Sequence, residues 1–266
     1  MKTNELEAGD GPVWITGGSS GIGRELAIRL AASGWTVAVT ARSEDSLREL
    51  ETQAQELRGE IRAFPGDVTH TDEMQQVCKS IEATLGTPAL LIANAGVFLP
   101  QDGLNAEANA FRKSFDVNLM GVVNVLLPVI EQMKGKGSGH IAIVSSVAGY
   151  SGLPTSAAYG ATKAGLINLA ESLKFDLDLA GIHIQIICPG FVDTPATKDN
   201  PFPMPHLVSV ETAANEILKG LRHPDKFEIT FPKGFVRQLK VLRMLPYGLY
   251  FRIVAKATGW TSRKAG

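Results

Sequence analysis

Tyr159 and Lys163 stand four residues apart, and Ser146 lies thirteen residues before the tyrosine. On a helix that spacing puts a phenol and an ammonium on one face, one turn apart. A cation beside a phenol favours the phenolate, so Lys163 is expected to draw the Tyr159 pKa from about 10 toward working pH. Tyr159 is then suited to protonate a carbonyl oxygen while hydride reaches the carbon. Near the other end, Gly17, Gly21 and Gly23 have the spacing G-x-x-x-G-x-G, after an apolar run Val13-Trp14-Ile15-Thr16 and before a helical stretch reaching toward Gly34. Glycines there let the main chain approach a dinucleotide pyrophosphate, and the helix aims unpaired N–H groups at the phosphates. A strand before and a helix after supply the context that a glycine pattern needs.

The end of the second strand reads the ribose. An NAD site wants a carboxylate there to accept from the 2′-hydroxyl. This chain has Thr40-Ala41-Arg42 instead, and Arg42 is suited to pair with a 2′-phosphate. NADP(H) is the expected cofactor.

These residues must be positioned by a scaffold, and the chain alternates strand-like and helix-like segments as far as residue 231. Strands are predicted at 13–16, 36–40, 60–64, 89–93, 139–144, 182–188 and 227–231, several of them continuous apolar runs such as Leu90-Leu91-Ile92-Ala93. Such runs suit strands covered on both faces. Amphipathic stretches fall at 21–33, 43–58, 71–85, 107–133, 156–180 and 209–222. Strict alternation predicts one Rossmann-like α/β domain over 12–232, a doubly wound parallel sheet of about seven strands with helices on both faces. A flexible N-terminus, 1–11, precedes it and a helical extension, 233–266, follows. Residues 193–208 hold Pro195, Pro201, Pro203 and Pro205, which excludes regular structure and predicts a lid.

Composition narrows the function. The 266 residues are 44% hydrophobic with a net charge of −1, which gives no bias toward nucleic acid. Cys78 and Cys188 read as core residues of a protein from a reducing compartment. Met1–Asp10 is polar and acidic, unlike a secretory signal, and no uninterrupted apolar run approaches the roughly 18 residues of a bilayer span. A cytoplasmic location is expected. The five histidines show no metal-ligand spacing, and neither a Gly-x-Ser-x-Gly elbow nor a phosphate-loop Gly-Lys-Ser/Thr occurs.

The chain resembles the short-chain dehydrogenases/reductases across roughly residues 12–231. The motifs that carry the resemblance occur in order: Thr16-Gly17-Gly18-Ser19-Ser20-Gly21-Ile22-Gly23, Asp67-Val68, Asn94-Ala95-Gly96, Asn118, Ser146, Tyr159 with Lys163, and Pro189-Gly190 leading to Thr194. The resemblance implies a catalytic tetrad. Tyr159 would donate the proton and Ser146 would bond the substrate oxygen. Lys163 would tune Tyr159 and hold the nicotinamide ribose, while Asn118 would position a relaying water. Ser145 rivals Ser146, but adjacent strand residues face opposite ways and the family's spacing selects Ser146. For the cofactor, the resemblance implies Gly17, Ser19, Ser20, Gly21, Ile22 and Gly23 at the pyrophosphate, and Asp67 and Val68 at the adenine. Asn94, Ala95 and Gly96 would line the cleft, with Pro189, Gly190, Val192 and Thr194 toward the nicotinamide. Purely structural readings stand beside these: Asp67 as a cap, Asn94 in a turn, Asn118 as a helix polar group and Pro189-Gly190 as a strand terminator.

Val97, Phe98, Leu99, Gly149, Tyr150, Leu153, Phe191, Phe202 and Met204 fall on loops beyond the strand ends. Their apolarity predicts an apolar ketone or alcohol as substrate for an NADPH-dependent carbonyl reductase. The alternative is a nonenzymatic NADP(H)-binding redox sensor, which would not need Tyr159 and Lys163. From Lys233 to Gly266 there are eight basic and no acidic residues, which leaves the preceding part at about −9. Within 233–256, Pro246 and Gly248 should break the segment into two short amphipathic helices. Three roles stay open for it: a peripheral membrane contact, a cover for the cleft, or a subunit contact. The family resemblance implies a homo-oligomer, and this extension exceeds the usual family ending.

Overall fold

The computed structural model describes residues 6–198 and 204–262. Seven strands form one parallel sheet: β1 Val13–Thr16, β2 Thr36–Thr40, β3 Glu60–Ala63, β4 Leu90–Ala93, β5 Gly139–Val144, β6 Ile182–Pro189 and β7 Glu228–Phe231. Their order is β3-β2-β1-β4-β5-β6-β7, so the winding reverses between β1 and β4, the place where such sheets open a ligand crevice. The register runs Val13↔Leu90 to Thr16↔Ala93 across that seam. The predicted strands are thus found within one or two residues, and the fold is the expected Rossmann-like one.

Alternation along each strand builds two cores. Trp14, Leu91, Ile141 and Ile143 point to one face and meet helices α3 (Thr71–Leu85), α5 (Gly121–Lys136) and α6 (Ala157–Leu179). Val13, Ile15, Val39 and Ile92 point to the other and meet α1 (Gly21–Ala32), α2 (Glu44–Gln53) and α7 (Val210–Leu221). Buried polar side chains on the strands are paired, as burial demands. The Trp14 indole donates to Thr40 Oγ1 at 2.9 Å, and His140 Nε2 meets Gln185 Oε1 at 2.8 Å. Burial pushes the His140 imidazole down to about 4, so it serves the core as a neutral ring. Cys78 and Cys188 are buried, as expected, with thiols pushed up to about 12 by burial.

Three features differ from the sequence reading. The helix expected at 107–133 is divided: α4 (Ala108–Phe115) passes through a π-helical turn at Asp116–Met120 before α5 begins. The continuous stretch 108–136 is long and apolar enough by composition to cross a membrane, yet Val122, Val125, Leu126, Val129 and Met133 on it are core. At the N-terminus, Leu6 packs against the core, and the Glu7 N–H donates to Asp10 Oδ2 at 2.8 Å. That part of the expected flexible segment is tied down, while residues 1–5 lie outside the described residues.

The extension forms the two expected helices, α8 (Lys233–Arg243) and α9 (Tyr247–Ala257). Pro246 caps α9, whereas Gly248 lies inside it and does not interrupt it. Val236 of α8 joins the same core as the sheet. Lys240 pairs with Glu228 on β7, and the Tyr250 hydroxyl donates to the Gly152 carbonyl at 2.7 Å.

Candidate active site

A cleft of about 1110 Å³ opens at the carboxyl ends of the strands. The glycine turn is its floor. Gly17 has φ +68, and a Cβ there would fall 2.8 Å from Ala95 Cα; only glycine lets this turn lie against the loop after β4. The Asn94 side-chain amide donates to the carbonyls of Thr16 and Gly17 at 3.1 and 3.2 Å, so Asn94 stitches the two loops together across the β1–β4 seam. Ser19, Ser20, Gly21 and Ile22 line the cleft at the start of α1. The first turn of that helix carries no acidic residue, and Ser20 makes no side-chain cap. Its leading N–H groups are therefore open to an anion. Gly23 does not line the cleft. A Cβ there would fall 2.6 Å from Asn94 Nδ2, so this glycine serves close packing beneath the floor.

Arg42 is exposed at the end of β2 and lines the same cleft with Asp67 and Val68. The Asp67 carboxylate accepts from the Thr69 N–H and hydroxyl at 3.0 and 2.9 Å. Burial works against its ionisation, but these bonds and the nearby Arg42 charge leave its pKa lowered. The structural reading of Asp67 as a turn former thus holds alongside its place on the wall.

At the opposite end, β5 hands the chain to a 3-10 turn, Val147–Gly149, and Ser146 caps that turn by accepting from the Ala148 N–H at 3.1 Å. Ser145 points the other way, and its hydroxyl donates to the Lys163 carbonyl at 2.8 Å. The two serines diverge as strand geometry requires, and Ser146 is the one close enough to the Tyr159 hydroxyl to lower its pKa. Helix α6 carries Tyr159 and Lys163. Its first turn is capped from afar: the Ala158 N–H donates to Gln101 Oε1 at 3.0 Å, a tie that local sequence does not reveal.

The Tyr159 ring meets Phe98 edge-on, centroids 5.1 Å apart. Lys163 Nζ lies 5.6 Å from the Tyr159 ring centroid and donates to the Val144 carbonyl at 2.8 Å. The side chain is only 4% exposed, and burial lowers its pKa to about 8. The Tyr159 hydroxyl is shifted in the opposite sense from the one expected. Burial pushes it up first, Ser146 opposes that, and Cys188 adds to the rise. A half-buried phenol surrendering its proton would leave a poorly solvated anion, and that outweighs a neighbouring lysine already bound to a carbonyl.

Asn118 sits in the π turn, fully buried, behind the cleft wall. Its Oδ1 accepts from the Val97 N–H at 2.7 Å, and its Nδ2 donates to the Val97 carbonyl at 2.9 Å. The side chain expected to position a water is thus taken up by one residue of the loop after β4. Ala95, Gly96, Pro189, Gly190, Val192 and Thr194 line the cleft. So do Val97, Phe98, Leu153 and Phe191, whereas Leu99, Gly149 and Met204 are not on its wall. Tyr150 is buried, with its hydroxyl donating to Glu228 Oε1 at 2.7 Å and its pKa raised by burial. Phe202 falls outside the described residues. Residues 199–203 of the expected lid lie outside the described residues; on either side of them the Thr197 hydroxyl donates to the Val192 carbonyl at 2.6 Å, and Val192 bridges to Val208.

Sequence reading missed His206 and left open whether the extension faces the cleft. Phe235, Leu239 and Leu242 of α8 and Ile253, Val254 and Ala257 of α9 close the cleft with Trp260. Their i, i+3, i+4 spacing was the available signal. Of the three roles left open for the tail, covering the cleft is present in the structure.

A dinucleotide floor joined to a tyrosine, serine and lysine at the reversal point of a doubly wound sheet defines a nicotinamide-dependent oxidoreductase. The family model described as short chain dehydrogenase matches residues 12–202, and the chain belongs to that family. It is similar to an uncharacterized oxidoreductase of Myxococcus xanthus, 35% identical over 89% of this chain and 93% of the relative. It is also similar to the 3-dehydrosphinganine reductase TSC10B of Arabidopsis thaliana, 34% identical over 90% and 75%. Among solved structures, a short chain dehydrogenase/reductase from Burkholderia phymatum in complex with NAD shares the fold, with a TM-score of 0.80, 23% identity and 88% and 94% coverage.

Proposed function

We propose that the protein is an NADPH-dependent carbonyl reductase, or in the reverse direction an alcohol dehydrogenase, that acts on an apolar ketone or alcohol. The observation that carries this reading is one continuous cleft with Arg42 and the glycine turn at one end and Tyr159, Ser146 and Lys163 at the other. The residues present fit the cofactor. The open start of α1 would take the pyrophosphate, Arg42 the 2′-phosphate, Asp67 and Val68 the adenine, and Lys163 the nicotinamide ribose. Bound NADPH supplies the hydride.

The chain does the rest. Ser146 holds the carbonyl oxygen, and Tyr159, kept protonated by its burial, donates the proton to it. Asn118 acts as a positioning residue by holding Val97 in place. The apolar walls, from Phe98 and Leu153 to Leu239 and Val254, exclude water and favour a hydrocarbon substrate. The similarity to a 3-dehydrosphinganine reductase makes that keto lipid the first long-chain substrate to try. Exposed Leu127 on α5 and Phe175 and Leu179 on α6, on one side of the sheet, support self-association through that face.

NADPH consumption measured against a panel of ketones tests the proposal. Long-chain and cyclic apolar ketones, 3-dehydrosphinganine included, should exceed keto-dicarboxylates at least about tenfold in kcat/KM, because burying a charge unpaired is costly. A preference for the charged ketones, or no turnover in either direction, contradicts it.

A further inference from the structure

Helices α8 and α9 have two apolar faces, and the cleft uses one of them. Phe235, Leu239 and Leu242 form the inward stripe of α8, and Val254 and Ala257 that of α9. On the outer side, Met244 is 76%, Tyr247 80% and Phe251 60% exposed. Tyr247 and Phe251 stack on each other with centroids 5.9 Å apart, which preorganises an aromatic pair facing solvent. Aromatic and aliphatic side chains at that density on an outer helix face mark a contact surface.

Charge identifies the partner. Lys233, Arg237, Arg243, Arg252 and Lys256 are exposed around this face, and among the described residues none of the five forms an ion pair with a carboxylate. Lys240, by contrast, is paired with Glu228. The molecule is a charge dipole, since the residues before 233 carry about −9 and those after carry only cations. An anionic surface would attract the extension and repel the remainder, which orients the protein with this face down. Amphipathic helices with a basic rim and exposed aromatics suit the boundary of headgroups and acyl chains.

We infer that the outer face of α8–α9 docks on an anionic lipid bilayer, and that an apolar substrate passes from the bilayer into the cleft between these helices. The docking stands on the surface alone, while the substrate passage rests on the reductase reading above. Ile253 and Trp260 support the passage, because each lines the cleft and is 37% exposed. They form a rim that touches both environments.

Flotation of the full-length protein with vesicles of phosphatidylcholine alone, or with 30% phosphatidylglycerol (~30 mol %, a composition chosen to give a negative surface potential), tests the docking. Wild type should float with the anionic vesicles and not with the neutral ones, and raised salt should release it. Arg243→Gln with Arg252→Gln should weaken partitioning about fivefold per charge removed. Met244→Ser, Tyr247→Ser and Phe251→Ser together should weaken it about tenfold or more, while turnover of a short water-soluble ketone stays unchanged. Tyr159→Phe should float like wild type, so loss of catalysis and loss of docking are read separately.

For the passage, the triple serine variant should lose about tenfold in turnover of a vesicle-embedded ketone. Undiminished turnover of that ketone overturns the passage. Flotation that ignores vesicle charge overturns the docking. So does a face that serves only a second copy of the chain, seen as concentration-dependent dimers abolished by the serine substitutions without any flotation of wild type.

Discussion

Lys163 shows how a side chain can cost stability and still be kept for its chemistry. Its folded pKa of about 8 lies below the ordinary 10.5, so between those values the unfolded chain binds more protons than the folded one. The stability penalty is fully present below pH 8 and is relieved as pH rises toward 10.5. Lys163→Met removes that penalty but also removes the bond to the Val144 carbonyl, so its stability relative to wild type should fall as pH rises from about 8 toward 10.5, while activity is lost. Thermal melts of both proteins across pH 7–10 (roughly the window of that shift) would check this, and a stability difference that does not change with pH would contradict it. Arg42→Asp should weaken NADPH binding and improve relative NADH use, read from kcat/KM with each cofactor. An unchanged preference removes Arg42 as the 2′-phosphate reader. At this scale the helical spacing of Tyr159 and Lys163 was legible in the residues themselves, whereas Ser146 was singled out by the family resemblance, and the structure places all three on the cleft wall. It did not disclose the direction of the Tyr159 shift, because a neighbouring charge is visible in a sequence and desolvation is not.

Helices and strands were legible wherever hydrophobic period and turn chemistry agreed, as in β4, where Leu90–Ala93 is buried on both faces. The π turn at 116–120 was not. An inserted residue leaves the apolar pattern of 107–133 almost unaltered, and its cause is tertiary: Asn118 is held by both main-chain groups of Val97, and its Nδ2 also reaches Thr162 Oγ1 at 3.4 Å. Asn118→Leu would strand two part-buried main-chain groups of Val97, at a cost of up to about 1–3 kcal/mol each. Urea unfolding should show that loss, and kcat should fall more than the cofactor KM rises. A variant as stable and active as wild type would show that the tie is idle. The Gln101 cap on α6 escaped detection for the same reason, since 57 residues separate Gln101 from the amide it accepts from.

Across the whole molecule, the sequence displayed an asymmetric charge distribution and an amphipathic tail but could not choose the tail's role. A helix that covers a cleft and one that lies on a membrane have the same periodicity, and only the packed structure separates the two faces. Self-association belongs to this scale as well. Phe175→Glu with Leu179→Glu should shift sedimentation toward monomer, and an unchanged assembly would place the subunit contact elsewhere. The proposed reduction depends on the Tyr159 hydroxyl acting as the proton donor in the cleft. Single-turnover reduction of an apolar ketone by wild type and Tyr159→Phe, each saturated with NADPH by fluorescence titration, tests that most directly. The rate should fall by about 10²–10⁴ with NADPH affinity essentially unaltered. Equal rates would contradict the account.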